Sequence, residues 1–94
     1  MTRPTPTLAE PIVIGQWWKN RGGEAITIQL SSYRGKNLID IRVWRSAEGR
    51  LQPTKQGLAT EAKHLPRLVS ALAKAESKAR ELGLITSDDD GGAQ

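Results

Sequence analysis

The chain has 94 residues, 37% of them apolar, with no Phe, no Cys, one His and a formal net charge of +4. That length holds a single domain with few large core side chains, and chains of this size commonly add disulfides, a metal or a second subunit. Without Cys and with one His the first two routes are closed, which leaves oligomerisation.

Residues 1–11 read as a flexible arm, since MTRPTPTLAE contains two prolines and no apolar core of the kind a signal peptide needs. Ile12 to Lys19 reads as a first strand, built on Ile12-Val13-Ile14 and Trp17-Trp18 and closed by the turn residues Asn20-Arg21-Gly22-Gly23. Adjacent residues of a strand point to opposite faces, so one of Trp17 and Trp18 is expected toward a core and the other toward solvent or a subunit contact.

Glu24 to Ser32 alternates, with Ile26, Ile28 and Leu30 opposed to Thr27, Gln29 and Ser31. Tyr33-Arg34-Gly35-Lys36 supplies a tight turn, after which Asn37 to Trp44 sets Ile39, Ile41 and Val43 against Asp40, Arg42 and Trp44. Two period-two segments joined by a Gly-containing turn predict a hairpin. Ser46-Ala47-Glu48-Gly49 is the next turn, and Arg50 to Ala59 reads as a fourth strand interrupted at Pro53. Proline cannot donate to a ladder, so an edge position or a bulge is expected there.

The period then changes to 3.6, with Leu65, Leu68, Val69, Leu72, Ala75, Ala79 and Leu82 on one stripe, Pro66 in the first turn and Gly83 at the C-cap. Eighteen residues give a helix about 27 Å long, enough to cross a four-stranded sheet. Residues 84–94 read as a flexible acidic tail, in which Asp88-Asp89-Asp90 keeps the terminus soluble, docks another protein or competes within the chain for the basic face. The expected architecture is α+β, a β-β-β-β-α subunit over residues 12–83 whose curved antiparallel sheet packs on one C-terminal helix.

Charge is unevenly spread. Residues 16–57 carry eight basic groups against three acids, whereas the helical segment is nearer balance and the tail is acidic. Concentrated positive charge in one half suits a polyanionic partner. With the apolar parity of strands two and three turned toward the helix, the opposite face presents Thr27, Gln29, Ser31, Tyr33, Arg42 and Trp44. Cationic grooves with aromatic platforms bind single strands, whose base faces are free, and gain little from a duplex. The other reading of this face is a solvated surface on which Tyr33 and Trp44 brace their cross-strand neighbours. Arg34, Lys36, Arg50 and Lys55 would line its rim, or serve only solubility.

His64 lacks companions for a metal site and reads as a surface residue before the helix. Ser31 and Ser32 have no base or orienting acid, and Gly22-Gly23 is no phosphate loop, so neither catalysis nor a cofactor is expected. No run approaches the roughly 20 apolar residues of a membrane span. The chain reads as soluble and intracellular: cytoplasmic, nucleoid-associated in a bacterium or nuclear in a eukaryote.

Two stretches carry a family likeness: Tyr33-Arg34-Gly35-Lys36-Asn37-Leu38-Ile39-Asp40-Ile41-Arg42, and Glu48-Gly49-Arg50-Leu51-Gln52-Pro53-Thr54-Lys55-Gln56-Gly57. They resemble the single-stranded-DNA-binding domain of the transcriptional coactivator family known as positive cofactor 4, in its aromatic-basic-Gly-Lys, Ile-Asp-Ile-Arg, acidic-Gly and Pro-x-basic-x-Gly pattern. The likeness spans about residues 12 to 83. It implies a homodimer with a saddle-like surface of sheets, helices contributing to the subunit contact, and binding of single-stranded or melted DNA. It also implies roles: Tyr33 and Trp44 stacking bases, and Arg34, Lys36, Arg42 and Lys55 contacting phosphates. The sequence departs from the family in three ways. One residue is missing between Arg42 and Gly49, which leaves open the side of strand three that Trp44 occupies. Gln52 and Gln56 stand where lysines are common. The long Ser/Lys-rich leader of eukaryotic members is absent, as in bacterial relatives.

The expected function is therefore binding of single-stranded DNA with little sequence preference, in support of transcription regulation, replication or repair, with transcription or replication proteins as further partners. RNA as the target, or a protein-interaction adaptor that binds no nucleic acid, are the alternatives.

Overall fold

The computed structural model describes residues 6–86. The first five residues of the expected arm and the Asp88-Asp89-Asp90 tail lie outside the described residues. The chain divides after Lys63 into two compact units. In the first, β1 (Ile12–Trp18), β2 (Glu24–Tyr33), β3 (Lys36–Ala47) and β4 (Arg50–Glu61) form one open, curved antiparallel sheet in the order β1-β2-β3-β4. A 3-10 turn, Ala62–His64, precedes the helix α1 (Leu65–Glu81).

The hairpins follow from local sequence. Arg34 and Gly35 have φ of 52° and 80°, and Glu48 and Gly49 have 54° and 82°. Two central residues with positive φ make a type I′ turn, whose twist matches that of the flanking strands, and glycine at the second position keeps its strain low. The first turn pairs Tyr33 with Lys36, and the second pairs Ala47 with Arg50. The β1–β2 connection is longer and is held by Asn20, whose Oδ1 accepts from the amides of Gly22 (2.9 Å) and Glu24 (3.3 Å) while its Nδ2 donates to Glu24 Oε1 (2.8 Å).

Two irregularities interrupt the ladders, one in β1 between Val13 and Gly15 and one where β3 meets β4 around Arg42 and Trp44. Arg42 pairs with Gly57 and Trp44 with Pro53, so β4 spends four residues where β3 spends two. Such bulges bend a strand and increase its twist. Pro53 thus sits on an edge strand and at a bulge together, both places where a missing amide is tolerated. Thr54 staples the extra loop: its Oγ1 donates to Val43 O (2.7 Å) and accepts from Gln56 N (3.1 Å). Gly57, at φ 151°, ends it because the β3 backbone passes so close that a Cβ there would lie 2.6 Å from Arg42 Cα and still nearer to Ile41 O.

The sheet's apolar face collects Ile12 and Trp17 of β1, Ile26, Ile28 and Leu30 of β2, Ile39, Ile41 and Val43 of β3 and Leu58 of β4. Of these only Ile39 is fully buried, at 3% exposure, and Ile12, Trp17 and Leu58 are exposed. The other two buried residues among those described, Ala25 (1%) and Thr27 (0%), lie on the opposite face, where period two alone would place solvated positions. Both are small and stand between larger neighbours, Ala25 between Trp18 and Trp44, Thr27 between Gln16 and Arg42. The Thr27 hydroxyl is satisfied by Gln16 Nε2 at 2.8 Å. Residues 6–8 run beside the first hairpin: Leu8 N donates to Ser32 Oγ and Asn37 Nδ2 donates to Pro6 O, both at 2.8 Å.

The helix starts with Pro66 in its first turn and ends in a Schellman motif, with Leu84 N donating to Ala79 O (2.8 Å) and Gly83 N to Arg80 O (3.1 Å). Gly83, at φ 77°, takes the left-handed position that this cap requires. Ion pairs Glu76–Arg80 (3.1 Å) and Lys78–Glu81 (3.3 Å) line its exposed surface, and it buries none of its residues. No helix among the described residues is long and apolar enough to cross a membrane.

Two stability measurements probe these devices. Gly57→Ala is expected to cost about 3 kcal/mol through backbone overlap, and Gly35→Ala, with open space around it, about 1 kcal/mol through its left-handed φ alone, both read by urea denaturation. Glu24 provides the pH dependence. Its carboxylate accepts from Arg45 Nη2 at 2.6 Å and from Asn20, with Lys19 Nζ 3.5 Å away, and these partners, Arg45 first, hold its pKa at about 2 against an ordinary 4.5. A depressed folded-state pKa stabilises the fold above the unfolded value and loses that contribution as the pH falls through the folded value. Glu24→Gln should therefore be less stable than the parent at neutral pH, with the gap closing between about pH 4.5 and about pH 2.

Candidate nucleic-acid interface

The uninterrupted β2–β3 register decides which side chains share a surface. Ala25↔Trp44, Thr27↔Arg42, Gln29↔Asp40, Ser31↔Leu38 and Tyr33↔Lys36 all fall on the face opposite the apolar one. Four of the six residues singled out from sequence, Tyr33, Lys36, Arg42 and Trp44, therefore lie on one face. The side of strand three left open for Trp44 is settled by its pairing with Ala25 and Pro53: it stands two residues along from Arg42, on the same face. Arg34 sits at the tip of the first hairpin, and Lys55 lies exposed in the β4 bulge between Pro53 and Gly57.

These groups form a track and not a pocket. Trp44 is eight residues from Lys36 along β3, about 27 Å at the rise of an extended strand. Tyr33 marks one end, 62% exposed, with the Arg34 guanidinium 5.2 Å from its ring centroid. A cation over a phenol ring is held by the ring's quadrupole, so this pair presents an aromatic face and a positive charge at one spot. Lys36 beside it is exposed and only loosely paired, with Nζ 4.0 Å from Glu61 Oε1.

Arg42 in the middle of the track has structural duties. Its Nε donates to Asp40 Oδ1 at 3.1 Å and its Nη1 to the Thr54 carbonyl at 3.0 Å, which ties the bulged loop of β4 back to β3. Guanidinium carries five donors in a planar fork, so donors remain for an anion. A nearby carboxylate offsets part of its charge, however. Lys55 makes no ion pair among the described residues and is the least compensated cation near the bulge.

Reading the sequence alone passes over one aromatic group on this face. Trp18 pairs with Ala25 and so lies in the row Trp18, Ala25, Trp44, Pro53, crossing all four strands. The adjacency of Trp17 and Trp18 gave opposite faces but not which one faced which way. Trp17, opposite Ile26, takes the apolar face. The chain itself buries neither indole. What assigns them is the β1 bulge, which shifts the parity of the strand between Val13 and Gly15 and which no sequence pattern marks.

Residues 19–71 match the family model described as Transcriptional Coactivator p15 (PC4), more than half of the chain, and the protein belongs to that family. Two crystal forms of a PC4 homolog from Burkholderia pseudomallei K96243 share its fold. In the orthorhombic form the TM-score is 0.64 at 24% identity, with 76% of this chain and 96% of the other covered. In the tetragonal form the TM-score is 0.61 at 24% identity, with 71% and 98% covered. Among curated proteins, none matches the chain.

The double duty of Arg42 makes a prediction about stability. Arg42→Lys keeps the charge but loses the planar fork that reaches Asp40 and Thr54 together. It should lower the unfolding free energy by about 1 kcal/mol, whereas Lys55→Gln should leave the denaturation midpoint unchanged.

Proposed function

We propose that this member of the PC4 family is a homodimeric protein that binds single-stranded DNA with little sequence preference across the polar-aromatic face of its sheet. The observation that carries the reading is the register that sets Tyr33, Lys36, Arg42 and Trp44 on one face, with the cations Arg34 and Lys55 at its margins. Phosphates are neutralised by the cations and unpaired bases stack on the aromatic rings, which gives affinity without base-edge readout. An open track about 27 Å long suits an extended strand better than a compact ligand. A duplex hides its base faces from Tyr33 and Trp44 and forfeits the stacking contribution.

Dimerisation is inferred from burial. Only Ala25, Thr27 and Ile39 are fully buried among the described residues, while Ile12, Trp17, Leu58, Val69, Leu72 and Leu82 are all about half exposed or more. A chain this small that leaves so much apolar surface in water is poorly stabilised alone, and a second copy is the simplest cover. Four cations per chain, repeated by two-fold symmetry, lay out a binding surface for six to eight phosphates in the order of magnitude of the salt effect below.

Fluorescence anisotropy with matched single-stranded and duplex oligomers across a salt series tests the function. Single strands should bind more tightly than duplex, and log affinity should fall with log salt by about 0.7 per phosphate neutralised. Trp44→Ala should cost about 1–3 kcal/mol. Equal affinity for both nucleic acids, or no dependence on salt, would overturn the reading. Sedimentation equilibrium should give twice the 10.3 kDa chain mass. Competition with an RNA oligomer of the same sequence decides whether the sugar matters.

A further inference from the structure

The β1–β2 turn carries a group of residues that the expected site leaves out. Trp18 is 64% exposed, the most exposed of the three tryptophans, and projects on the same face as Trp44 with Ala25 between them. Beyond it lies an open hollow of about 390 Å3 lined by Trp18, Asn20, Arg21 and Gly23. Arg21 is exposed and makes no ion pair among the described residues. The Asn20 side chain spends both of its polar atoms on Gly22 and Glu24, so the turn is held in shape before any ligand arrives.

We propose that this turn is a further subsite for single-stranded DNA, in which the Trp18 indole stacks a base neighbouring the one on Trp44 and the Arg21 guanidinium contacts the adjoining phosphate. The proposal rests on the single-strand binding inferred for the sheet and extends it from β3 to the β1 edge.

Three features support it. The first is continuity. Trp18 and Trp44 are two strand spacings apart, about 10 Å between backbones, and Ala25 between them is too small to rise into the path of a strand that crosses the row. The second is chemistry. An exposed indole next to an unpaired guanidinium combines the apolar plane and the cation that an unpaired nucleotide needs, and arginine adds its own stacking capacity. The third is the contrast with Arg42, whose charge is shared with Asp40. Arg21 has no such partner among the described residues and offers its full charge beside Trp18.

The test uses the full chain and an oligothymidylate. Trp18→Ala should weaken binding about five- to 150-fold, the ~1–3 kcal/mol of one stacked base converted at 1.4 kcal/mol per tenfold. Trp18→Phe, which keeps an aromatic plane, should recover most of that loss. Arg21→Ala should lower the slope of log affinity against log salt by about 0.7. With Trp17 and Trp44 both replaced by Phe, Trp18 is the one remaining tryptophan of the three in the chain, and its fluorescence should be quenched as oligomer is added. If the parent protein binds no single strand, the reading of the whole face fails. If the parent binds and Trp44→Ala weakens it, but Trp18→Ala does not and Trp18 is not quenched, this subsite alone is refuted. A Trp18→Ala variant with altered sedimentation mass and unchanged affinity per dimer also overturns it, by making Trp18 a subunit contact.

Discussion

Ten consecutive cross-strand pairs join β2 to β3, from Glu24 opposite Arg45 to Tyr33 opposite Lys36, and the face of each β2 and β3 side chain follows from them. Side chains alternate with a strict period of two, so a slip of one residue would move Arg42 and Trp44 to the apolar face and Ile41 and Val43 to the other. The Arg34-Gly35 turn closes the hairpin at the only register in which all three apolar rows meet: Ile26 with Val43, Ile28 with Ile41, Leu30 with Ile39. Turn chemistry and hydrophobic pattern specify the same pairing, and that agreement is what makes a register firm.

On this frame β4 is the variable element. Its extra residues between Pro53 and Gly57 form a bulge at the edge of the sheet, and three separate devices hold it: the Thr54 hydroxyl, the Arg42 guanidinium and the close backbone approach at Gly57. Lys55 is thereby placed on a braced bulge of the strand. The motif Pro-x-basic-x-Gly thus has a structural meaning at each end, a residue that cannot donate and a residue that cannot carry a side chain, with the cation displayed between them.

Charge on the proposed binding face is partly spent within the protein. Asp40 lies on the same face as Arg42 and offsets it, and Glu61 approaches Lys36. On the other face Glu24 binds Arg45 tightly and draws Lys19. The formal excess of basic residues in this half of the chain therefore overstates the charge available to a ligand, and the groups that matter most are those without acid partners.

Much of the fold is legible in the sequence because its signals are local. Alternation marks Glu24 to Trp44 as paired strands, Gly35 and Gly49 mark the turns, Pro53 marks the edge bulge, and Pro66 and Gly83 bracket the helix. The likeness around Ile39 to Arg42 and Pro53 to Gly57 supplies Tyr33, Arg34, Lys36, Arg42, Trp44 and Lys55 as candidates. What the sequence could not decide depends on how strands are registered against one another. The face of Trp44 follows from its pairing with Ala25 across the ladder. The face of Trp18 follows from a bulge in β1 that no composition or period reveals. The burial of Thr27 and Ala25 arises because neighbouring strands set larger side chains on both sides of them. Alternation along one strand fixes relative faces only; cross-strand pairing and its bulges fix which residues finally stand together.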